Sequence, residues 1–272
     1  MPSTSPGDSG TLKPMKCMVI LPGYNAERTL GRVLAELPPN CCDELLLVDD
    51  GSRDGTLDVA RALGVPYVAH RTNHGYGATQ KTGLRIALAR QADVVVLLHA
   101  DAQYDARCIP AMVRLVANGE ADAVIGSRRL GGRCLEGGMP RWKLWANVAL
   151  TAWMNACLGS RLSDPHSGLR VYSRRYVESV GFDAYADGFL FDAQILFDGI
   201  AQGLRVLEIG IPTRYFPEAS QVNAWTGIGY AAGIFAISCQ HIARRGRRAR
   251  KVPAISAKGA LNRGGEASCT SS

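Results

Sequence analysis

Four short apolar runs, each passing into polar residues at its C-terminal end, restrict the fold more than any other feature of this chain. They are CMVILPGYN (17–25), ELLLVDDGSRDGT (44–56), DVVVLLHAD (93–101) and ADAVIGSRR (121–129). Their apolar parts are continuous instead of alternating, which is the pattern of strands buried on both faces. Helical segments separate them: ERTLGRVLAELPP (27–39), LDVARALG (57–64), GATQKTGLRIALARQ (77–91) and CIPAMVRLVANG (108–119), with VPYVAH (65–70) as a further strand. This alternation predicts an α/β fold, a mainly parallel sheet flanked by helices. Ligands of such sheets bind at the carboxyl ends of the strands. Asp49 and Asp50, Asp101 and Gln103, and Arg128 and Arg129 all follow strand ends, so they are expected on one edge.

Carboxylates gathered at one edge repel one another unless a cation or donor lies between them. Asp101 and Gln103, two residues apart, offer hard oxygen atoms of the kind that suit magnesium or manganese, ions that also bind substrate phosphates. No Walker-type loop or G-x-G-x-x-G follows the first strand, and HGYGATQKTG (74–83) lacks the Gly-Lys-Ser/Thr sequence of a phosphate loop, since Gln80 precedes Lys81 and Thr82. P-loop ATPase and nicotinamide chemistry are therefore set aside.

Charge divides the chain. The net charge is +7, and residues 244–272 carry eight Lys/Arg against one Glu, leaving the remainder balanced. A neutral body without a nucleic-acid motif predicts no nucleic-acid partner. The basic tail is either a solvated, disordered end or a segment drawn to anionic head groups, at about 1 kcal/mol per Lys/Arg. The eight cysteines form no C-x-x-C pair, and the first residues carry no apolar core, which predicts reduced thiols and a cytoplasmic location. The expected organisation is a disordered segment at 1–14, one α/β domain at 15–220, an apolar interfacial helix at 221–243 and a basic disordered tail at 244–272.

In order, LPGYNAERTL, LLVDDGSRDGT, NHGYGATQKTGLRIAL, HADAQYD, VIGSRRLGG and HSGLRVYSRR resemble the family 2 glycosyltransferases, and more narrowly the dolichyl- or polyprenyl-phosphate sugar transferases. The resemblance runs from about Met18 to Ser220. It implies a GT-A fold, a nucleotide-sugar donor (GDP or UDP) and a divalent metal, Mg or Mn. By the same resemblance Pro22, Tyr24, Asn25 and Glu27 lie against the nucleotide, and one of Asp49 and Asp50 contacts the base. Asp101 and Gln103 hold the metal and diphosphate, and Arg214 reaches the diphosphate. Asp192 stands where relatives carry a catalytic acid. His99 departs from the pattern: relatives usually have D-x-D-x-Q, and this chain has H-x-D-x-Q. Histidine can ligate manganese or be neutral and hydrogen-bonded. Relative to a carboxylate it is expected to weaken metal affinity.

A phosphate acceptor needs cations, and Arg128, Arg141, Ser167 and Arg170 match its site in the family. Such an acceptor is largely anionic at neutral pH and needs no protein base. RWKLWANVALTAWMNACLG (141–159) has helical spacing of Trp142, Trp145, Ala152 and Ala156, suited to core packing or to lining a prenyl tail. Residues 225–243 read as a helix on the protein or in a membrane interface, and RRGRRARK would hold it on an anionic surface. The expectation is an inverting hexosyltransferase (mannose or glucose type) acting on a polyprenyl or dolichyl phosphate at the inner face of a membrane. The alternatives are a saccharide or other hydroxyl acceptor, and a non-catalytic nucleotide-sugar-binding protein.

Overall fold

The structure is a computed structural model that describes residues 15–132, 140–212, 214 and 224–251, with side chains described to residue 242 and, within the last helix, from 227. The described residues form a seven-stranded sheet. Its strands are β1 (Cys17–Gly23), β2 (Glu44–Asp49), β3 (Tyr67–Ala69), β4 (Val94–Leu97), β5 (Ala123–Ser127), β6 (Arg170–Ser173) and β7 (Val206–Gly210), in the spatial order β3-β2-β1-β4-β6-β5-β7. All pairs are parallel except those of β6, which runs antiparallel between β4 and β5.

The helices are α1 (Leu30–Glu36), α2 (Thr56–Ala62), α3 (Tyr76–Ala89), α4 (Ile109–Ala117), α5 (Arg141–Leu158), α6 (Arg174–Ser179), α7 (Phe191–Ala201) and α8 (Ala224–Lys251). Alternate residues of β1 enter opposite layers, as the period of two requires. Val19 and Leu21 pack with Leu30, Ile109 and Met112 of α1 and α4. Met18 and Ile20 pack with Leu84 of α3 and with Phe191 and Ile195 of α7. A third cluster, containing Met154, Leu158, Leu196, Phe197 and Ile234, joins α5, α7 and α8.

Several boundaries differ from expectation. The helix expected over 27–39 covers only Leu30–Glu36, because residues 25–27 are tied to the loop after β2. The strand β6 has four residues, three of them Arg, Tyr and Ser, too short and polar for an apolar-run criterion to detect. Helix α8 continues past the expected limit at 243 to Lys251, so the start of the tail is helical instead of disordered. Arginine and lysine are good helix formers, and five arginines and a lysine lie between 244 and 251. The segments expected to be disordered at 1–14 and over 252–272 lie outside the described residues.

The topology places the site. Arg170 of β6 pairs in register with Leu97 of β4, so HSGLR (166–170) arrives beside HADAQ (99–103) although the two strands run in opposite directions.

Candidate active site

The loops after β1 and β2 hold each other. Asn25 adopts a left-handed conformation (φ 51), which asparagine tolerates better than most residues. Its Oδ1 accepts from the Arg53 N–H at 2.9 Å, and its own N–H donates to Ser52 Oγ at 2.8 Å. Glu27 Oε2 accepts from the Gly55 N–H at 3.1 Å. Asp49 is fully buried and accepts from the Gly51 and Ser52 N–H groups and the Ser52 hydroxyl. Gly51 has φ +72°, and a Cβ there would lie 2.7 Å from the Thr72 carbonyl carbon, so this turn requires glycine. Asp50 accepts from the N–H groups of His74 (2.9 Å) and Gly75 (2.8 Å) and contacts His70 Nδ1 at 2.8 Å. Asp49 and Glu27 build the loops, and neither lines the cleft that the loops enclose; Glu27 thereby departs from its expected place, while of the two acids expected there Asp50 is the one that lines it.

That first cleft has a volume of about 510 Å³. Pro22, Tyr24, Asn25, Asp50 and Asn73 line one part, and Tyr76, His99, Asp101 and Phe189 another. Tyr24 is 46% exposed, a flat ring available for stacking on a base. Arg214 does not line it. Its N–H donates to the Gln103 carbonyl at 3.0 Å, and its guanidinium is ion-paired with Glu36 at 2.6 Å.

The loop after β4 presents Asp101 and Gln103. Asp101 Oδ1 accepts from the Gln103 N–H at 3.1 Å, and Oδ2 has no hydrogen-bond partner among the described residues. Ala102 between them has φ 56, a conformation that costs a non-glycine residue about 1–2 kcal/mol and is typical of sites held for function. The donor set of one carboxylate, one amide and the neighbouring imidazole of His99 fits a single hard or borderline divalent ion completed by substrate oxygens.

Behind this loop runs a hydrogen-bonded chain. His99 Nε2 lies 2.7 Å from Tyr76 Oη, and Tyr76 Oη donates to Asp192 Oδ2 at 2.9 Å. Gln80 Nε2 donates to Asp192 Oδ1 at 3.0 Å, and Arg170 lies 3.7 Å from Oδ2 while donating to the Asp192 carbonyl at 2.9 Å. Burial, and then the Asp192 charge, hold the Tyr76 phenol well above its ordinary pKa, so it stays protonated. Tyr76 also stacks on Phe189 with ring centroids 5.3 Å apart. Arg170 is fully buried and donates to the Ser167 and Pro165 carbonyls as well. It is therefore not a phosphate ligand: it braces Asp192 and the 165–167 turn from beneath. Ser167 is likewise fully buried and outside the cleft lining.

Gly168 closes the chain from the other side, since a Cβ there would lie 2.3 Å from His99 Cε1 and 2.4 Å from Nε2. Gly168→Ala is expected to push the ring off Tyr76 and lower turnover by about 10²-fold, the effect of a misplacement near 1 Å. Circular dichroism should stay unchanged while the rate of nucleoside diphosphate release falls.

A second cleft, of about 560 Å³, shares Tyr76, His99, Asp101 and Phe189 with the first. Its apolar walls are the faces of α5 (Trp142, Ala146, Leu150) and α8 (Ile228, Ala231, Phe235). Arg128, Lys143 and His166 belong to its polar lining, with Asp101, Gln103, Asn147, Asp192 and Tyr230. Arg128 is buried and paired with Asp164 (Nε–Oδ2 2.6 Å, Nη2–Oδ1 2.7 Å). It lines the cleft, as expected of an acceptor-phosphate arginine, but with its guanidinium already paired. Arg141 is exposed and outside the lining. Lys143 faces the cleft, and burial followed by the Arg128 charge lowers its pKa below the usual lysine value. Burial pulls His166 to about 4, so it is neutral at pH 7, and its Nδ1 meets Tyr230 Oη of α8 at 2.9 Å. Trp153 Nε1 donates to Ser238 Oγ at 3.1 Å, a second tie between α5 and α8. Tyr76 and Gln80 lie in NHGYGATQKTGLRIAL and His166 opens HSGLRVYSRR, but these motifs assign them no role, and Lys143 and Tyr230 have no local signature in the sequence.

Residues 18–181 match the model of glycosyl transferase family 2. The chain belongs to that family. Among its curated relatives is an undecaprenyl-phosphate mannosyltransferase of Micrococcus luteus, 33% identical over 72% of this chain and 83% of the relative. Another is a polyprenol monophosphomannose synthase of Mycolicibacterium smegmatis, 29% identical over 90% of this chain and 94% of the relative. Among solved structures, a glucosyl-3-phosphoglycerate synthase of Mycobacterium tuberculosis in complex with Mn²⁺, UDP-glucose and phosphoglyceric acid superposes with a TM-score of 0.66. It is 22% identical and covers 85% of this chain and 80% of its own. The GT-A fold is thereby shown, and the chain is an enzyme of the glycosyltransferase class.

Proposed function

We propose that this family 2 transferase moves a hexose from a nucleotide-sugar donor in the first cleft to a polyprenyl or dolichyl phosphate in the second, inverting the anomeric centre. The observation that carries this reading is the meeting of the two clefts at Tyr76, His99, Asp101 and Phe189, with the second walled by apolar helix faces and cations. An acceptor phosphate oxygen forms the new bond to the anomeric carbon, and the bond from that carbon to the donor diphosphate breaks. A phosphate dianion has no proton to lose, so no base is required. The leaving diphosphate is the group that needs charge. Asp101 and Gln103, with His99 beside them, would hold a divalent metal there, manganese or magnesium, which neutralises the developing charge when bound. Arg128 and Lys143 attract and orient the acceptor phosphate.

Trp142 (58% exposed) and Trp145 (70%) of α5 and Ile228 (62%) of α8 are exposed, and Trp142 and Ile228 both line the second cleft. No helix of the described residues is long and apolar enough to cross a membrane. Attachment at the inner face of an anionic membrane, through these side chains and the basic end of α8 (225–251), fits both facts. Liposomes with about one third anionic lipid should retain the protein at low salt and release it at high salt. Deleting residues 244–272 should abolish retention, and unchanged retention would dismiss the tail's role.

The second reading keeps the fold and the donor and takes a hydroxyl acceptor. The solved neighbours favour it, since their acceptor is phosphoglyceric acid and not a prenyl phosphate. It requires a base, and Asp192, which lines the second cleft, is held by Tyr76, Gln80 and Arg170. Incubating UDP- and GDP-hexoses with manganese and either polyprenyl phosphate or hydroxyl acceptors, followed by mass spectrometry, separates the two. A labelled lipid phosphate is expected. Product only from the hydroxyl acceptors would transfer the conclusion to the second reading, and no product with bound nucleotide would favour a non-catalytic binding protein.

A further inference from the structure

The residue that departs from the family pattern is also the one whose surroundings are most specific. We infer that His99 ligates the divalent ion through Nδ1 and thereby biases the site toward a transition-metal ion such as Mn²⁺ over Mg²⁺, with Tyr76 and Asp192 as positioning residues. This rests on the reading of the first cleft as a metal-assisted donor site.

The geometry assigns the tautomer. An aspartate oxygen only accepts, and Asp192 already receives Gln80 at its other oxygen with Arg170 alongside. Tyr76 Oη therefore gives its proton to Asp192 and has only its lone pairs left for His99. The His99 Nε2 atom must carry the hydrogen, and in that tautomer the lone pair lies on Nδ1. Nδ1 has no hydrogen-bond partner among the described residues. Gly168 lies against the ring at Cε1 and Nε2, Tyr76 meets Nε2, and Tyr104 packs on the ring edge-on at 5.4 Å. A histidine kept only for packing would have no use for a three-residue chain that fixes its ring and tautomer. Metal-bound histidines are commonly held this way, by a carboxylate acting on the far nitrogen; here a tyrosine extends that reach.

The choice of metal follows from the donor. Magnesium prefers oxygen ligands and negative charge, and a neutral imidazole in place of a carboxylate supplies neither. Later first-row ions accept nitrogen more readily. His99 thus weakens magnesium more than it weakens manganese.

The test uses the full chain with Mn²⁺ or Mg²⁺ alone, and then with UDP or GDP, in calorimetric titrations, together with pulsed EPR of the Mn²⁺ complexes. Directly coordinated nitrogen is expected in the wild type, including the complex with UDP, and should vanish in His99→Asp. The Mn²⁺/Mg²⁺ affinity ratio of His99→Asp should fall at least about tenfold. Tyr76→Phe keeps the stack on Phe189 and should weaken Mn²⁺ by about tenfold, the usual size of an outer-partner effect. Its melting temperature, measured in parallel, separates loss of the ligand from loss of the fold. Manganese bound without nitrogen coupling, coupling that persists in His99→Asp, or an unchanged ratio would each overturn the inference while leaving the transferase reading intact. Failure to bind either nucleotide would overturn that reading, and the titrations with metal alone would still decide the role of His99.

Discussion

Replacing Asp101 by Asn is expected to lower kcat/KM by about 10²–10³-fold, the effect of removing one preorganised electrostatic contact to a leaving group. The substitution removes charge and little else. Asparagine keeps an Oδ1 that can accept from the Gln103 N–H, so the turn through Ala102, with its left-handed φ of 56, is retained. What disappears is the anionic oxygen at the junction of the two clefts. Stability should stay within about 0.5 kcal/mol, as for substitutions away from the core. Release of nucleoside diphosphate from UDP- or GDP-hexose in the presence of manganese measures the effect, and a melting curve checks the fold. A loss of less than tenfold would remove Asp101 from the donor site. Asp49→Asn offers a contrast: that carboxylate is buried in its own turn, so its loss should act through stability.

Legibility in the sequence followed physical range. The strand ends could be read because VILPG, LLVDD and VVLLH each bury an apolar run immediately before a polar exit, and both halves of that signal are local. Which of two adjacent acids faces the ligand could not be read, because it depends on the N–H groups that a turn brings near: Ser52 takes Asp49, and the loop at 74–75 takes Asp50. The choice between Arg141 and Lys143 turns on helix geometry. Two positions on a helix differ by about 200°, so one faces the cleft and the other faces solvent, and only the orientation of α5 decides which. The His99–Tyr76–Asp192 chain spans 116 residues between Tyr76 and Asp192 and leaves no local trace. The inversion of Arg170 from ligand to brace has the same origin. It sits on a strand inserted antiparallel between β4 and β5, a position that no short window of sequence reveals.

The largest stability loss is expected for Asp164→Ala. Arg128 and Asp164 are 6% and 2% exposed and joined by two short hydrogen bonds, with the Arg128 N–H also donating to Oδ2 at 3.0 Å. Removing Asp164 takes the carboxylate away from a buried guanidinium, and breaking a buried ion pair in this way costs about 3–5 kcal/mol. At about 2–4 °C per kcal/mol for a chain of this size, the melting temperature should fall by about 6–20 °C. The pair itself need not be stabilising relative to an apolar one, so Arg128→Leu combined with Asp164→Leu should recover part of the loss. The pH dependence separates charge from packing. Burial would raise the Asp164 carboxyl, but the Arg128 charge and hydrogen bonds outweigh it and hold it below the usual aspartate value. A carboxyl depressed in the folded state stabilises above its unfolded pKa, about 3.9, and loses that contribution as pH falls through the lower folded value. The wild-type advantage over Asp164→Ala should therefore be full near neutrality and shrink only below about pH 4. An advantage that stays constant down to strongly acidic pH would mean that the cavity, and not the ion pair, carries the loss. Because Arg128 lines the second cleft, the same variant should also raise the KM for a phosphate acceptor more than that for the nucleotide sugar. Equal rises in both would place the damage in the fold and remove Arg128 from acceptor binding.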